Sequence, residues 1–167
     1  MKRLYLLRHA KSSWDEPALE DRDRPLASRG ERAARLIAEH VRREGISPAL
    51  VLCSTSLRTR QTLAALLPVL AGDAELRLED ALYGAGAEEL RARVRAVPVL
   101  VPSVLLLGHN PGLHELALSL AGRGAGLERL RERFPTGALA TLAIPSWAEL
   151  GEGAAELVGF VVPRELG

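Results

Sequence analysis

The chain has 167 residues, a length suited to one domain around one hydrophobic core, and its content of 47% hydrophobic and 26% charged residues excludes a disordered chain. A formal net charge of +1 lacks the basic excess that a nucleic-acid binder collects on one surface, so no nucleic-acid partner is expected. Cys53 is the single cysteine, which excludes a disulfide-supported scaffold, and no stretch reaches the roughly 18 to 20 apolar residues needed to span a bilayer, so no membrane partner is expected either.

In chain order, residues 3–7 form a short apolar run with little alternation, the pattern of a central strand covered on both faces. Arg8 interrupts that run before it could serve as a signal-peptide core, which makes the cytoplasm the expected location. The polar stretch 11–25 has no period and reads as a loop. Ser28 is placed to cap a helix with Glu31 in the capping-box position, Ala33, Leu36, Ile37 and Val41 supply its apolar face, and Gly45 and Pro48 end it. A second strand over 50–53 ends at Cys53, read as a small buried side chain. Ser54 and Thr55 then turn into a helix over 56–70, with Leu63, Leu66, Leu67 and Leu70 inward and Pro68 shortening its last turn.

Residues 75–78 read as a third strand and 88–97 as a helix with Leu90, Val94 and Val97 on its apolar face. The strand over 103–107 runs directly into Gly108-His109-Asn110-Pro111-Gly112, and 113–120 restarts a helical pattern. Gly122, Gly124 and Gly126 read as a loop, Trp147 and the glycines from Gly151 to Gly159 as a later one, and 138–144 and 156–162 as the last two strands. This exchange of patterns predicts a single-domain, three-layer α/β/α fold over residues 1–167 with a mostly parallel central sheet.

In open sheets of this kind the ligand site lies beyond the carboxyl ends of the strands, and His9, Ser54 and His109 each follow a predicted strand. Of the four histidines, His40 and His114 read as structural or exposed, whereas His9 and His109 are placed to face a sheet-end crevice. Arg8 sets a fixed positive charge beside one imidazole, and Arg58 and Arg60 open the helix after the second strand; arginine donors match phosphate oxygens. With 20 arginines among the 22 basic residues, a surface ion pair is the competing reading for each, and spacing does not choose between Arg58 and Arg60.

Leu7-Arg8-His9-Ala10 after a short N-terminal strand resembles the signature of the histidine phosphatase, or phosphoglycerate mutase-like, superfamily. Asp21-Arg22-Asp23-Arg24-Pro25-Leu26 with the downstream Gly30 is similar to the Asp-x-x-Arg-Pro-Leu block of its SixA-type phosphohistidine phosphatases. Ser54-Thr55-Ser56-Leu57-Arg58-Thr59-Arg60-Gln61-Thr62 resembles the second block of the superfamily, and Gly108-His109-Asn110 the third. The resemblance places Arg58 at the phosphate and leaves Arg60 without a role.

What the resemblance implies is a two-step transfer without metal or other cofactor. His9 attacks phosphorus through a neutral ring nitrogen, and water then cleaves the phosphohistidine, while Arg8, Arg58 and His109 grip the phosphoryl oxygens. A backbone carbonyl between residues 26 and 30 is expected to accept from the other His9 nitrogen. Ser54, Gln61 and Asn110 are candidates for hydrogen-bonding support. Ala10 stands where the usual signature has glycine, so its methyl is expected to narrow the approach of phosphate. Trp14, in the first loop, is divided between local packing and the mouth of the pocket.

Members of the superfamily with alcohol leaving groups use a glutamate near the segment after the third strand, where Glu79 and Asp80 are the candidates and exposed turn carboxylates the competing reading. An imidazole leaving group is far less basic than an alkoxide and does not need either acid. The leading expectation is therefore a phosphohistidine phosphatase whose partner is a phosphohistidine-containing protein. The alternatives are a phosphomonoesterase for a small phosphorylated metabolite and a non-catalytic binder of phosphorylated ligands.

Overall fold

The structure is a computed structural model and describes residues 1–167. Seven strands, β1 (Lys2–Arg8), β2 (Leu50–Ser54), β3 (Glu75–Glu79), β4 (Ser103–Gly108), β5 (Ala121–Arg123), β6 (Leu139–Ile144) and β7 (Ala155–Val161), form one sheet in the order β3-β2-β4-β1-β6-β7-β5. Strand β6 is antiparallel to both of its neighbours, β1 and β7; the other pairings are all parallel. The crossovers that parallel strands require are supplied by helices α1 (Ser28–Arg43), α2 (Leu57–Leu66), α3 (Ala87–Arg95) and α4 (Gly112–Leu120), with a short α5 (Leu127–Glu132) behind α4.

The sheet is covered on both faces, which explains why its central strands show no polar alternation in sequence. One core joins Leu4, Leu6, Leu52 and Leu106 to Leu90 and Val94 of α3 and Leu113 and Leu116 of α4. The opposite core joins Leu7, Val51, Cys53, Leu105 and Leu107 to Ile37 and Val41 of α1 and Leu63 and Leu66 of α2. Residues that alternate along a strand thus enter opposite cores, giving the expected α/β/α layering. No helix is long and apolar enough to cross a membrane.

The local differences from expectation have physical causes. Helix α1 begins without side-chain capping by Ser28: Ala27 is the flanking residue, its N–H donates to the Lys11 carbonyl at 2.9 Å, and its carbonyl accepts from Glu31 N–H. Ser56, by contrast, caps α2 by accepting from the Thr59 N–H, and the chain after Leu66 tightens into a 3-10 turn holding Pro68. Residues 121–123 form a strand where the glycines read as a loop, Gly159 lies within β7, and 127–132, to which the sequence assigns no element, form a helix. Trp147 lies outside the strands as expected, yet its ring is buried and its Nε1–H donates to the Val101 carbonyl at 2.8 Å.

Candidate active site

Strands β2, β4 and β1 are neighbours, so their carboxyl ends bring Ser54, His109 and His9 to one rim of the sheet. The rings of His9 and His109 have centroids 5.3 Å apart and are tilted by 53°. His9 is only 6% exposed, and its Nδ1 lies 2.7 Å from the Ala10 carbonyl oxygen. A carbonyl can only accept, so Nδ1 carries the ring proton and Nε2 keeps its lone pair. Burial pushes the His9 pKa down to about 3, helped by His109, Arg58 and Arg8, with the Ala10 hydrogen bond opposing.

The expected acceptor in residues 26–30 is therefore corrected to Ala10 itself. The 26–30 segment meets the His9 loop through a donor, Ala27 N–H to the Lys11 carbonyl, and through close packing at Gly30. A β-carbon on Gly30 would sit 2.0 Å from the Lys11 carbonyl oxygen, so only glycine allows this turn of α1 to press on the chain beside Ala10. The Ala10 methyl is fully buried with Leu26 and Ala34, so it packs into the floor and does not narrow the approach to His9.

His109 Nε2 lies 2.7 Å from the Ser54 hydroxyl, and burial pushes its pKa down to about 4, with Arg58 adding to the effect and Asp21 opposing it. Its Nδ1 is buried without a partner, as is Nε of Arg8. Arg8 donates through Nη1 to the Phe134 carbonyl at 3.1 Å, the same carbonyl that receives the Asn110 amide at 2.9 Å. Asn110 Oδ1 is also buried and unpartnered.

Arg58 is 7% exposed, whereas Arg60 is exposed and donates to the Thr55 carbonyl at 3.0 Å. Spacing left these two undecided; burial and charge coupling to both histidines single out Arg58. Thr62 ties the site together by accepting from Ala10 N–H at 3.1 Å and donating to the Arg58 carbonyl at 2.8 Å. Gln61 accepts from Leu26 N–H at 2.8 Å, anchoring the long loop to α2.

Asp21 was not among the expected site residues. Arg58 donates to its carbonyl at 2.6 Å and to its carboxylate at 2.9 Å, and Tyr83 donates to the same carboxylate oxygen. These contacts hold Asp21 down to about 2, Tyr83 contributing most and Arg58 next among the stabilising partners. Its only sequence signal is membership of the Asp-x-x-Arg-Pro-Leu block, because a carboxylate in an aperiodic loop does not reveal a partner 37 residues away.

The two candidate acids lie elsewhere. Glu79 is engaged bidentately by Arg93 at 2.7 and 2.9 Å, which holds its pKa below the ordinary carboxylate value. Asp80 accepts from Thr55 at 2.5 Å and from Arg22 at 2.9 Å, and these bonds likewise lower its pKa. Trp14 is 71% exposed and stacks on Arg24 with the guanidinium carbon 3.4 Å from the ring centroid. Cys53 is buried, its pKa pushed up to about 12 by burial, and His114 donates to the Leu130 carbonyl at 2.6 Å. No group of three or more His, Cys, Asp or Glu side chains is placed to hold a metal ion.

A mostly parallel sheet carries two histidines and two buried or half-buried arginines at one rim, a cationic cluster suited to an oxyanion. The chain belongs to the histidine phosphatase superfamily: residues 4–97 match its branch 1. Across its length it is 40% identical over 163 residues to an uncharacterized protein of Mycobacterium tuberculosis, covering 95% of this chain and 100% of that one. It closely matches structures of the SixA type, from Agrobacterium tumefaciens at 32% identity and TM-score 0.82, covering 97% of this chain and 98% of that one. The SixA structure from Nakamurella matches at 35% identity and TM-score 0.79, covering 97% and 96%.

Proposed function

We propose that this protein is a phosphohistidine phosphatase that works through a covalent intermediate on His9. The observation that carries the reading is the Nδ1 hydrogen bond of His9 to a main-chain carbonyl, which leaves an unprotonated Nε2 in a cationic, mostly buried setting. In the first step the Nε2 lone pair forms a bond to phosphorus as the substrate's P–N bond breaks, and the departing imidazole nitrogen takes its proton from water. In the second step water attacks phosphorus, the P–Nε2 bond breaks, and inorganic phosphate leaves with neutral His9 regenerated.

The orphaned polar atoms fit this reading. Arg8 Nε is a buried donor without a protein acceptor, closed to solvent as the side chain stands, so a phosphoryl oxygen reaches it only when the guanidinium turns toward the anion. If the Ser54 hydroxyl donates to His109 Nε2, the ring proton sits on Nδ1 and that nitrogen becomes a second donor to the anion. Ser54 Oγ meanwhile accepts from Ser56 N–H at 3.5 Å, which is consistent with its own proton pointing to the ring. Arg58 supplies the fixed positive charge once Asp21 shares or yields it.

Glu79 and Asp80 are both tied up as ion-paired carboxylates, so neither is poised to protonate an alkoxide. That favours a substrate with an imidazole leaving group over a sugar or nucleotide-pathway phosphomonoester. The deciding experiment compares a phosphohistidine peptide with a panel of alkyl and aryl phosphomonoesters, using the wild type and His9→Ala. The expected result is preference for the phosphohistidine peptide, an acid-labile phosphoenzyme, and loss of both on His9→Ala. A strong preference for an alkyl ester would reject the substrate, and full activity of His9→Ala would reject the mechanism.

A further inference from the structure

On the same rim as His9, a cavity of about 270 Å³ is lined by Lys11, Arg29, Arg133 and Arg164, together with Ala33, Pro135, Thr136, Val162 and Pro163. No carboxylate lines it. All four cations are exposed, and none takes part in an ion pair, although nine such pairs engage arginines elsewhere in the chain. With an overall formal charge of only +1, four unpaired cations around one concavity are a local concentration and not a reflection of the whole surface. Like charges gathered in this way repel one another and attract a matching anion.

The wall of this cavity is continuous with the catalytic loop. Lys11 lies two residues beyond His9, and Arg29 lies in the first turn of α1, which packs on the Lys11 carbonyl through Gly30. Pro135 and Thr136 precede Gly137, whose N–H is shared between the main-chain oxygens of His9 at 2.9 Å and Arg8 at 3.1 Å. Val162, Pro163 and Arg164 follow β7, beyond β6. The cavity therefore flanks β1 on the β6 and β7 side, whereas His109 and Arg58 belong to the β4 and β2 side. A neighbouring smaller cavity shares Arg133 and Arg164 and adds Glu132 and Arg129, the latter already committed to Glu165.

We propose that this basic cavity is a docking site for an acidic face of the phosphoprotein substrate, seated beside the phosphorylated histidine that enters the His9 site. The inference rests on the phosphohistidine reading and names the kind of protein surface that reading calls for. The four cations are long, exposed side chains with no buried donor among them, so they offer charge spread over an area and no rigid cradle for one small anion. Several carboxylates on a protein surface fit such a field, which acts through association and is screened by salt.

The test uses the full chain, with Arg133→Glu/Arg164→Glu as the variant and three substrates: a phosphohistidine peptide flanked by Asp and Glu, the same peptide with neutral flanks, and p-nitrophenyl phosphate. The wild type is expected to favour the acidic peptide through a lower KM, an advantage that fades as ionic strength rises. The variant should raise KM for the acidic peptide about tenfold with kcat unchanged. Its turnover of p-nitrophenyl phosphate should stay at the wild-type level, which also reports an intact fold. Equal KM for acidic and neutral peptides in the wild type would overturn the docking site while leaving the phosphohistidine reading in place. Cleavage of p-nitrophenyl phosphate but of neither peptide would overturn that reading and the docking site with it. An equal loss on all three substrates, from a variant whose circular dichroism and urea midpoint match the wild type, would show that the cations act on the chemistry and not on docking.

Discussion

The Asp21 carboxylate lies 2.9 Å from the Arg58 guanidinium, which also donates to the Asp21 carbonyl at 2.6 Å. The guanidinium assigned to phosphate thus already has an anion, and an incoming phosphoryl group competes with it. Asp21→Asn keeps the shape and removes the charge, so inorganic phosphate should inhibit the variant at roughly tenfold lower concentration than the wild type. Because Asp21 is held down to about 2, it stays ionised above about pH 4, so the difference should persist from about pH 4 to 6, where inorganic phosphate is a monoanion. Equal or weaker phosphate inhibition of the variant would show that the carboxylate does not compete.

The histidines set the acid limit. In the proposed mechanism the nucleophile is the neutral ring, and His9 and His109 are held at about 3 and about 4, so protonation should not limit catalysis until the pH falls to that range. With a substrate whose charge is constant, kcat/KM should be flat from about pH 5 to 8; an acid limb centred near the ordinary histidine value of about 6.5 would contradict the burial described for His9. The same shifts act on folding. The unfolded chain takes up these protons near pH 6.5 and the folded chain does not, so stability should fall as the pH drops from about 6.5 to 4. His9→Asn/His109→Asn should flatten that slope in urea titrations.

Ser54 tests how His109 is held. Ser54→Ala leaves both nitrogens of a mostly buried ring without a protein partner. An unsatisfied buried group costs about 1–3 kcal/mol, so kcat/KM should fall about 10- to 100-fold. Unchanged kcat/KM would remove the hydroxyl from any role in orienting the ring.

The two carboxylates after β3 are expected to be spectators. Glu79→Gln should cost about 1 kcal/mol or less, because its pair with Arg93 is partly exposed. Neither Glu79→Gln nor Asp80→Asn should slow alkyl esters more than aryl esters. A much larger loss on the alkyl ester with either variant would identify that residue as the proton donor.

Gly30→Ala places a β-carbon 2.0 Å from the Lys11 carbonyl oxygen, a backbone atom with no rotamer to escape through. Overpacking of this kind costs about 1–3 kcal/mol, measurable by urea denaturation. Turnover should fall as well, since Lys11 is joined directly to Ala10, the acceptor for His9. Wild-type stability and turnover would mean that the α1 turn is free to shift.

Most of the fold was legible because the sheet is buried on both faces. Continuous apolar runs such as 103–107 stand out, and the α1 face of Ile37 and Val41 has a clear period. What escaped was β5 and α5. In β5 the glycine flanks are a packing device: Gly124, at φ +130°, brings its Cα so near Leu157 that a β-carbon would lie 2.1 Å from that carbonyl, yet in sequence such glycines look like a loop. Helix α5 has six residues, too few to display a helical period. At the site, residues attached to strand ends could be picked out locally, whereas the Asp21 and Arg58 pairing depends on how an aperiodic loop folds over α2. A main-chain carbonyl leaves no mark in a sequence, so nothing local points to Ala10 as the acceptor for His9.

The acceptor that holds the His9 ring is the carbonyl of the next residue, an atom every amino acid possesses. Where alanine replaces the customary glycine, the lock is untouched. Evolution, or a protein engineer, can therefore rewrite the rim without disturbing which ring nitrogen carries the proton.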